Sequence, residues 1–214
     1  MSTSPATNPF ARAGGRKRAE TPEYREKRDA IVAAAAAVFH EKGYTTGSLD
    51  DVAARLNIRK ASLYHYVRSK AHLLELVFAS ALRDAQARIG ALAAVPDPGA
   101  RLEALIRLQV EMVTADLSHF AVFFDHVSAL PDRQEGGSGE LRALERRYFR
   151  RFVDTVAEAV AAGSLPPVDA HYAAQAVMGM TCWTYKWFDP ARHDARALAD
   201  TCVALICAPR GPAR

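Results

Sequence analysis

The chain has 214 residues, half of them hydrophobic and 24% charged, which excludes a collagen-like or low-complexity chain and leaves room for one sizeable domain or a small one joined to a larger. Its net charge of +4 is unevenly placed: residues 1–75 carry 13 Lys and Arg against 8 Asp and Glu, and the remainder carries 15 against 16, so only the first third has the balance of a polyanion-binding surface. No apolar run reaches the roughly 20 residues of a membrane span and no signal-peptide core opens the chain, so the expected setting is the cytoplasm, with no membrane partner.

Residues 1–20 are rich in Ser, Thr, Pro, Gly and Ala and include Arg12, Arg16, Lys17 and Arg18; they read as a disordered basic arm. Two readings of that arm stand side by side, a minor-groove or backbone contact with a duplex and a merely charged leader. Thr21-Pro22-Glu23 then supplies a cap, a first-turn proline and a first-turn acid. The helix they open buries Ile31, Ala34, Ala35, Val38 and Phe39 and stops at Gly43. A short helix follows with Leu49, Val52, Ala53 and Leu56 at i, i+3, i+4 and i+7. Asn57 suits a left-handed turn, and another short helix turns Leu63, Tyr66 and Val67 inward. Ser69 caps a helix that runs to about Ala94. Further helices are expected at about 99–117, 119–130, 139–162, 168–188 and 194–207, giving nine helices and no strand. The division is into an arm (1–20), a three-helix head (21–68) and a larger helical domain (69–214).

Two short helices joined by a three-residue turn, with a third packed behind, have the form of a helix-turn-helix, whose second helix enters the major groove by its N-terminal end. That end must be small and polar, and here it reads Arg59-Lys60-Ala61-Ser62. Lys60 can donate to guanine, Ser62 is permissive, and the Ala61 methyl can meet a thymine methyl. Tyr64, His65, Tyr66 and Lys70 are placed to grip phosphates, as are the hydroxyls of Thr46 and Ser48 at the start of the preceding helix. Hydrophobic spacing alone fits any helical pair. The run Gly43-Tyr44, Ser48-Leu49, Asp51-Val52-Ala53, Ile58, Leu63-Tyr64-His65-Tyr66-Val67, Ser69-Lys70 and Leu73-Leu74 is more specific, and closely resembles the signature of TetR-family transcriptional regulators. Gly47, Arg59 and Ala61 depart from it, standing where the family commonly has Thr, Ser and Gly.

The resemblance implies an all-α, nine-helix TetR-type fold with an N-terminal helix-turn-helix domain and a C-terminal ligand-binding and dimerisation domain. It further implies a homodimer that represses from a palindromic double-stranded DNA operator and is released by a small-molecule effector. By the same resemblance, helices at about 168–188 and 194–207 pair between protomers, with Val177, Met180, Leu198, Val203 and Ile206 as candidate interface residues. Each of these also fits an intramolecular core. The candidate effector residues are Phe120, Phe123, Phe124, Arg147, Tyr148, Arg151, Trp183, Lys186 and Trp187. The segment from Met180 to Pro190 is similar to that of TetR regulators answering acyl-CoA thioesters, although Cys182 stands where those have Asn. An acyl-CoA needs an apolar tunnel and cations for its phosphates; Arg146, Arg147, Arg150 and Arg151 offer the latter, or form a solvated face.

Other functions find little in the sequence. The seven histidines show no HExxH spacing, and there is no glycine-rich phosphate loop and no GxSxG elbow, so no catalysis and no cofactor are expected. Asp116, His119, Asp125 and His126 offer ligand types for a metal but fit hydrogen-bonded side chains better. The three cysteines, Cys182, Cys202 and Cys207, match no zinc spacing and read as buried thiols. A regulator with a hydrophobic effector other than an acyl-CoA, and a helical binding protein without DNA, remain open alternatives.

Overall fold

The computed structural model describes residues 21–127, 130 and 139–207; the expected basic arm lies outside them. Among the described residues the chain is helical throughout: α1 (Pro22–Lys42), α2 (Leu49–Arg55), α3 (Lys60–Leu63), α4 (Lys70–Ala91), α5 (Pro98–Ala115), α6 (Leu117–His126), α7 (Glu140–Ala161), α8 (Ala170–Cys182) and α9 (Ala195–Cys207), with short 3-10 turns at Leu92–Ala94 and Trp183–Lys186. No helix is long and apolar enough to cross a membrane among the described residues.

Local chemistry sets the boundaries. The Thr21 hydroxyl accepts from the Tyr24 amide at 3.2 Å, and Gly43, at φ 74°, ends α1 in a conformation that side chains resist. Asn57 turns the chain between α2 and α3 at φ 53°, the left-handed position foreseen for it. Asp97 caps α5, Asp116 caps α6, and Asp169 caps α8. Gly47 is buried, and a Cβ there would meet Val38 Cγ1 at 3.1 Å and Phe39 Cδ1 at 3.2 Å. Close packing of this loop on α1 therefore accounts for glycine where Thr is common.

Two apolar cores are joined by one long helix. The first packs Ile31, Val38 and Phe39 of α1 against Val52 of α2, Leu63 of α3 and Leu73, Leu74, Val77 and Phe78 of α4. The second packs Ile89 near the far end of α4 against Leu102, Leu105 and Ile106 of α5, Phe152 and Val156 of α7, Val177 of α8 and Val203 of α9. The front of α4 thus completes the head and its rear belongs to the body.

The expected eighth helix ends early. The apolar pattern runs unbroken to Phe188, but α8 stops at Cys182 and tightens into the 3-10 turn. Phe188 then donates its amide to the Thr184 carbonyl at 2.9 Å.

Candidate nucleic-acid interface and effector core

The head owes its geometry to a closed cap on α2. The Ser48 hydroxyl accepts from the Asp51 amide at 3.1 Å, and the Ser48 amide and hydroxyl both donate to Asp51 Oδ2, at 2.8 and 2.6 Å. Lys42 adds its ammonium at 2.5 Å from Oδ1. With Lys42 and Ser48 donating to it, the Asp51 carboxyl titrates at about 2. Ser48, expected to meet a phosphate, is therefore occupied within the head.

Beyond that cap, the exposed side chains of the second helix and its neighbours include Arg59, Lys60, Ala61, Tyr64 and His65, with Thr46 exposed on the preceding loop. Tyr64, 52% exposed, is a large ring held in solvent. Lys60 reaches back to Asp50, 2.7 Å away, and this hydrogen bond raises its pKa. Ser62 is half-buried. Tyr66 is also half-buried, its ring tilted against that of Tyr24 with centroids 4.8 Å apart, so it braces α1 and does not stand in the row with Tyr64. Lys70 donates to the Thr45 carbonyl at 3.0 Å and lies over the Tyr44 ring. Burial lowers its pKa. In this state it fastens the loop before α2.

Head and body meet along α6. His40 of α1 shares a hydrogen bond with Ser118 at 2.9 Å and lies 3.3 Å from Asp116. Burial works against the Asp116 carboxylate, but the His119 amide and the Ser118 hydroxyl outweigh it and hold its pKa below the usual value. His119 is itself depressed by burial and meets Phe78 edge-on. At the other end of α6, His126 packs on Tyr44 with centroids 4.7 Å apart. A cavity of about 40 Å³ lies beside the His40 contacts, lined by Phe39, His40, Phe78, Asp116 and His119 among others. The acids and histidines of α6 thus face other side chains, Asp125 lying 3.6 Å from Lys186. Among the described residues no three such groups converge on one point.

The candidate effector residues divide into four sets. Tyr148 is buried on α7, and its hydroxyl donates to the Gln109 side-chain oxygen; burial raises its pKa. Phe120 and Phe123 are half-buried, Phe123 edge-on to Phe78 at 4.8 Å. Phe124, Trp183 and Trp187 are exposed, with Phe124 stacked on Tyr185 at 5.0 Å and Lys186 over the same Tyr185 ring. Arg147 and Arg151, like Arg146 and Arg150, are exposed along α7. None of these candidate residues lines the cavity beside His40.

Sequence reasoning passed over Gln109, which donates its amide to Cys182 Sγ at 3.3 Å. It sits on the buried face of α5 between Leu105 and Val113, and a polar residue at a core position was the signal available. Burial lifts the Cys182 thiol to about 11, so it is an inert neighbour at neutral pH.

Of the interface candidates, two are buried within the chain itself and three are half-buried. Val177 is 1% exposed and Val203 8%; both fill the body core, and Met180, Leu198 and Ile206 pack against it. The outward face of α8 carries Tyr172, Ala176 and Gly179, continued by Trp183, and that of α9 carries Ala197, Thr201, Ala204 and Leu205. Tyr172 and Leu205 are 75% and 73% exposed.

Known proteins resemble the chain along its length. The model of bacterial regulatory proteins of the tetR family matches residues 31–77, and that of the tetracyclin repressor-like C-terminal domain matches 95–209. A TetR/AcrR-family transcriptional regulator from Thermobifida fusca superimposes with a TM-score of 0.72 at 32% identity, covering 88% of this chain and 100% of that one. The structure of AibR in complex with isovaleryl coenzyme A and operator DNA gives 0.71 at 26%, covering 86% and 99%. The HTH-type transcriptional repressor KstR2 of Mycolicibacterium smegmatis is 26% identical over 166 residues, 77% of this chain and 80% of its own.

Proposed function

The chain belongs to the TetR family of bacterial regulatory proteins, and from that premise we propose that it is a homodimeric transcriptional repressor released from a palindromic operator by an acyl-CoA thioester. The observation that carries the DNA half is the row Arg59, Lys60, Ala61, Tyr64 and His65, exposed on and beside α3 while α1, α2 and the front of α4 supply its rigid backing. Lys60, Ala61 and Ser62 meet base edges, and Thr46, Arg59, Tyr64 and His65 hold the backbone. Ser48 and Tyr66 support this surface from within. Lys70 is freed for a phosphate only by giving up Thr45.

Two copies pair through the outward faces of α8 and α9. Ala176, Gly179, Ala197 and Ala204 are small enough to let helices approach closely, and Tyr172, Trp183 and Leu205 supply apolar area. Such a dimer sets two α3 helices on successive major grooves.

Likeness to AibR, whose structure contains isovaleryl coenzyme A, supports the effector class. The acyl part enters the core between α5, α7 and α8, where Tyr148 stands, and the exposed Arg147 and Arg151 serve the phosphates. A chain of contacts leads from there to the head. The 3-10 turn after α8 grips α6 through Phe124 on Tyr185 and Asp125 with Lys186, and α6 holds α1 through Ser118 and Asp116 with His40. An effector that favours a shifted turn thereby favours a shifted head, by no more than its preference between the two states.

A gel-shift with DNA from upstream of the chain's own gene, titrated with isovaleryl coenzyme A and with isovalerate, tests the reading. Release by the thioester alone is expected. Release only by free acids or planar drugs overturns the effector class, and the absence of any shift overturns the repressor itself.

A further inference from the structure

Of the four buried polar side chains among the described residues, three, Gln109, Thr181 and Thr184, lie on α5 and on the end of α8 with its 3-10 turn, elements packed on one another. Thr181 returns its hydroxyl to the Val177 carbonyl at 2.8 Å and is satisfied within its helix. The other two are not so readily explained by packing. Gln109 interrupts a buried face otherwise made of Leu102, Leu105, Ile106, Val110 and Val113, where a leucine would complete the stripe without a desolvation cost. One N–H of its amide goes to a thiol, a weak acceptor. Thr184, fully buried, has a hydroxyl with no hydrogen-bond partner, a costly arrangement that calls for a reason. At the same place α8 tightens into a 3-10 turn, a departure that often marks a hinge.

Every member of this cluster is neutral. Tyr148 and Cys182 stay protonated at neutral pH, and the nearby Arg88 is taken up by Glu111 at 2.7 Å on the surface. A carboxylate brought here would be desolvated without a cation to meet it. A carbonyl oxygen carries no net charge to desolvate, and a hydrogen bond from the Gln109 N–H or the Thr184 O–H would replace those it gives up to water. The Tyr148 hydroxyl, by donating to the Gln109 oxygen, also fixes which end of the carboxamide faces α8.

We propose that Gln109 and Thr184 form a subsite for an uncharged carbonyl oxygen of the effector, the thioester carbonyl when the effector is an acyl-CoA. This rests on the effector reading above and adds the atom that is recognised. The carbonyl takes the Gln109 N–H now given to Cys182 and the unused Thr184 O–H. It is the reason a thioester is preferred to its free acid.

The test uses the full-length protein, isovaleryl coenzyme A and S-(3-methylbutyl) coenzyme A, the thioether that lacks only the carbonyl, with affinities from calorimetry. Wild-type protein is expected to prefer the thioester by about tenfold, the scale of one or two neutral hydrogen bonds. Gln109→Leu should bind both ligands alike. Thr184→Val, which keeps the shape and removes an unpaired hydroxyl, should melt no lower than wild type and still reduce the preference several-fold. A merely structural role would not move that ratio. Preferences unchanged in both variants overturn the subsite while leaving the effector class intact. Failure of wild-type protein to bind either coenzyme A derivative, with operator binding preserved, overturns the effector reading and the subsite with it.

Discussion

The Lys60 ammonium lies 2.7 Å from a carboxylate oxygen of Asp50, so the cation proposed to read bases is held by the helix behind it. Both partners are well exposed, and such a pair exchanges readily with water and salt. The carboxylate competes with any phosphate for Lys60 and yields only where the base contact is good. Asp50→Asn is therefore expected to tighten binding to non-operator DNA several-fold and to steepen its salt dependence by about one counterion. Fluorescence anisotropy across a salt series measures both. The same gain in a Lys60→Ala background would show that only net charge had changed, against the pairing.

The cap on α2 gives a second expectation. Ser48→Ala removes the hydroxyl that accepts from the Asp51 amide and donates to its carboxylate; loss of such a cap costs about 1 kcal/mol. Operator affinity should fall with the melting temperature, because α2 positions α3. A pH series isolates Asp51. Its folded pKa of about 2 lies below the ordinary aspartate value of 3.8, so its contribution is complete above about pH 4 and is lost as pH falls toward 2. The stability difference between wild type and Asp51→Asn should shrink over that interval. A difference constant from pH 6 to 2 would count against the hydrogen bonds assigned to the carboxylate.

The head was legible in the sequence because its elements announce themselves: Thr21-Pro22, Gly43, Ser48 and Asn57 are local signals, and each acts within a few residues of itself. The body was legible as helices and less so as surfaces. Periodicity finds the apolar face of α8 and α9, but a body with two layers of helices claims that face for its own core, as Val177 and Val203 show. The opposite face, built on Ala176, Gly179 and Ala204, has no apolar period to betray it. The 3-10 turn was hidden for a related reason. No glycine or proline stands between Cys182 and Phe188, so nothing local marks where tertiary packing tightens the helix.

The outward face of α8 and α9 can be tested directly. Leu205 is 73% exposed and unneeded in the core, so Leu205→Glu should leave the monomer fold and its far-ultraviolet circular dichroism unchanged. Across a close apolar interface it would bury a carboxylate without a partner, and Ala176→Glu would do the same from α8. Sedimentation should show wild-type dimers and a shift of both variants toward monomers, with operator affinity reduced at least tenfold at equal protomer concentration. Variants that remain dimers would place the interface elsewhere.

Coupling between body and head is assigned to the contact of α6 with α1. His40 is bound to Ser118 and lies beside Asp116, and Asp116 also caps α6. Removing the acid would confound a broken cap with a broken joint. His40→Ala cuts the joint alone. The His40 side chain is 60% exposed, so stability should change by less than about 1 kcal/mol, and operator affinity without effector by less than about threefold. What should change is the response: saturating isovaleryl coenzyme A should weaken operator binding less than in wild type, because the shift of α6 is no longer passed to α1. Reciprocity supplies an independent readout, since the operator must then reduce affinity for the thioester by the same smaller factor. A variant that loses operator affinity outright but keeps the wild-type ratio between effector-free and effector-bound protein would make His40 a support of the head and move the joint to the Tyr44–His126 end of α6.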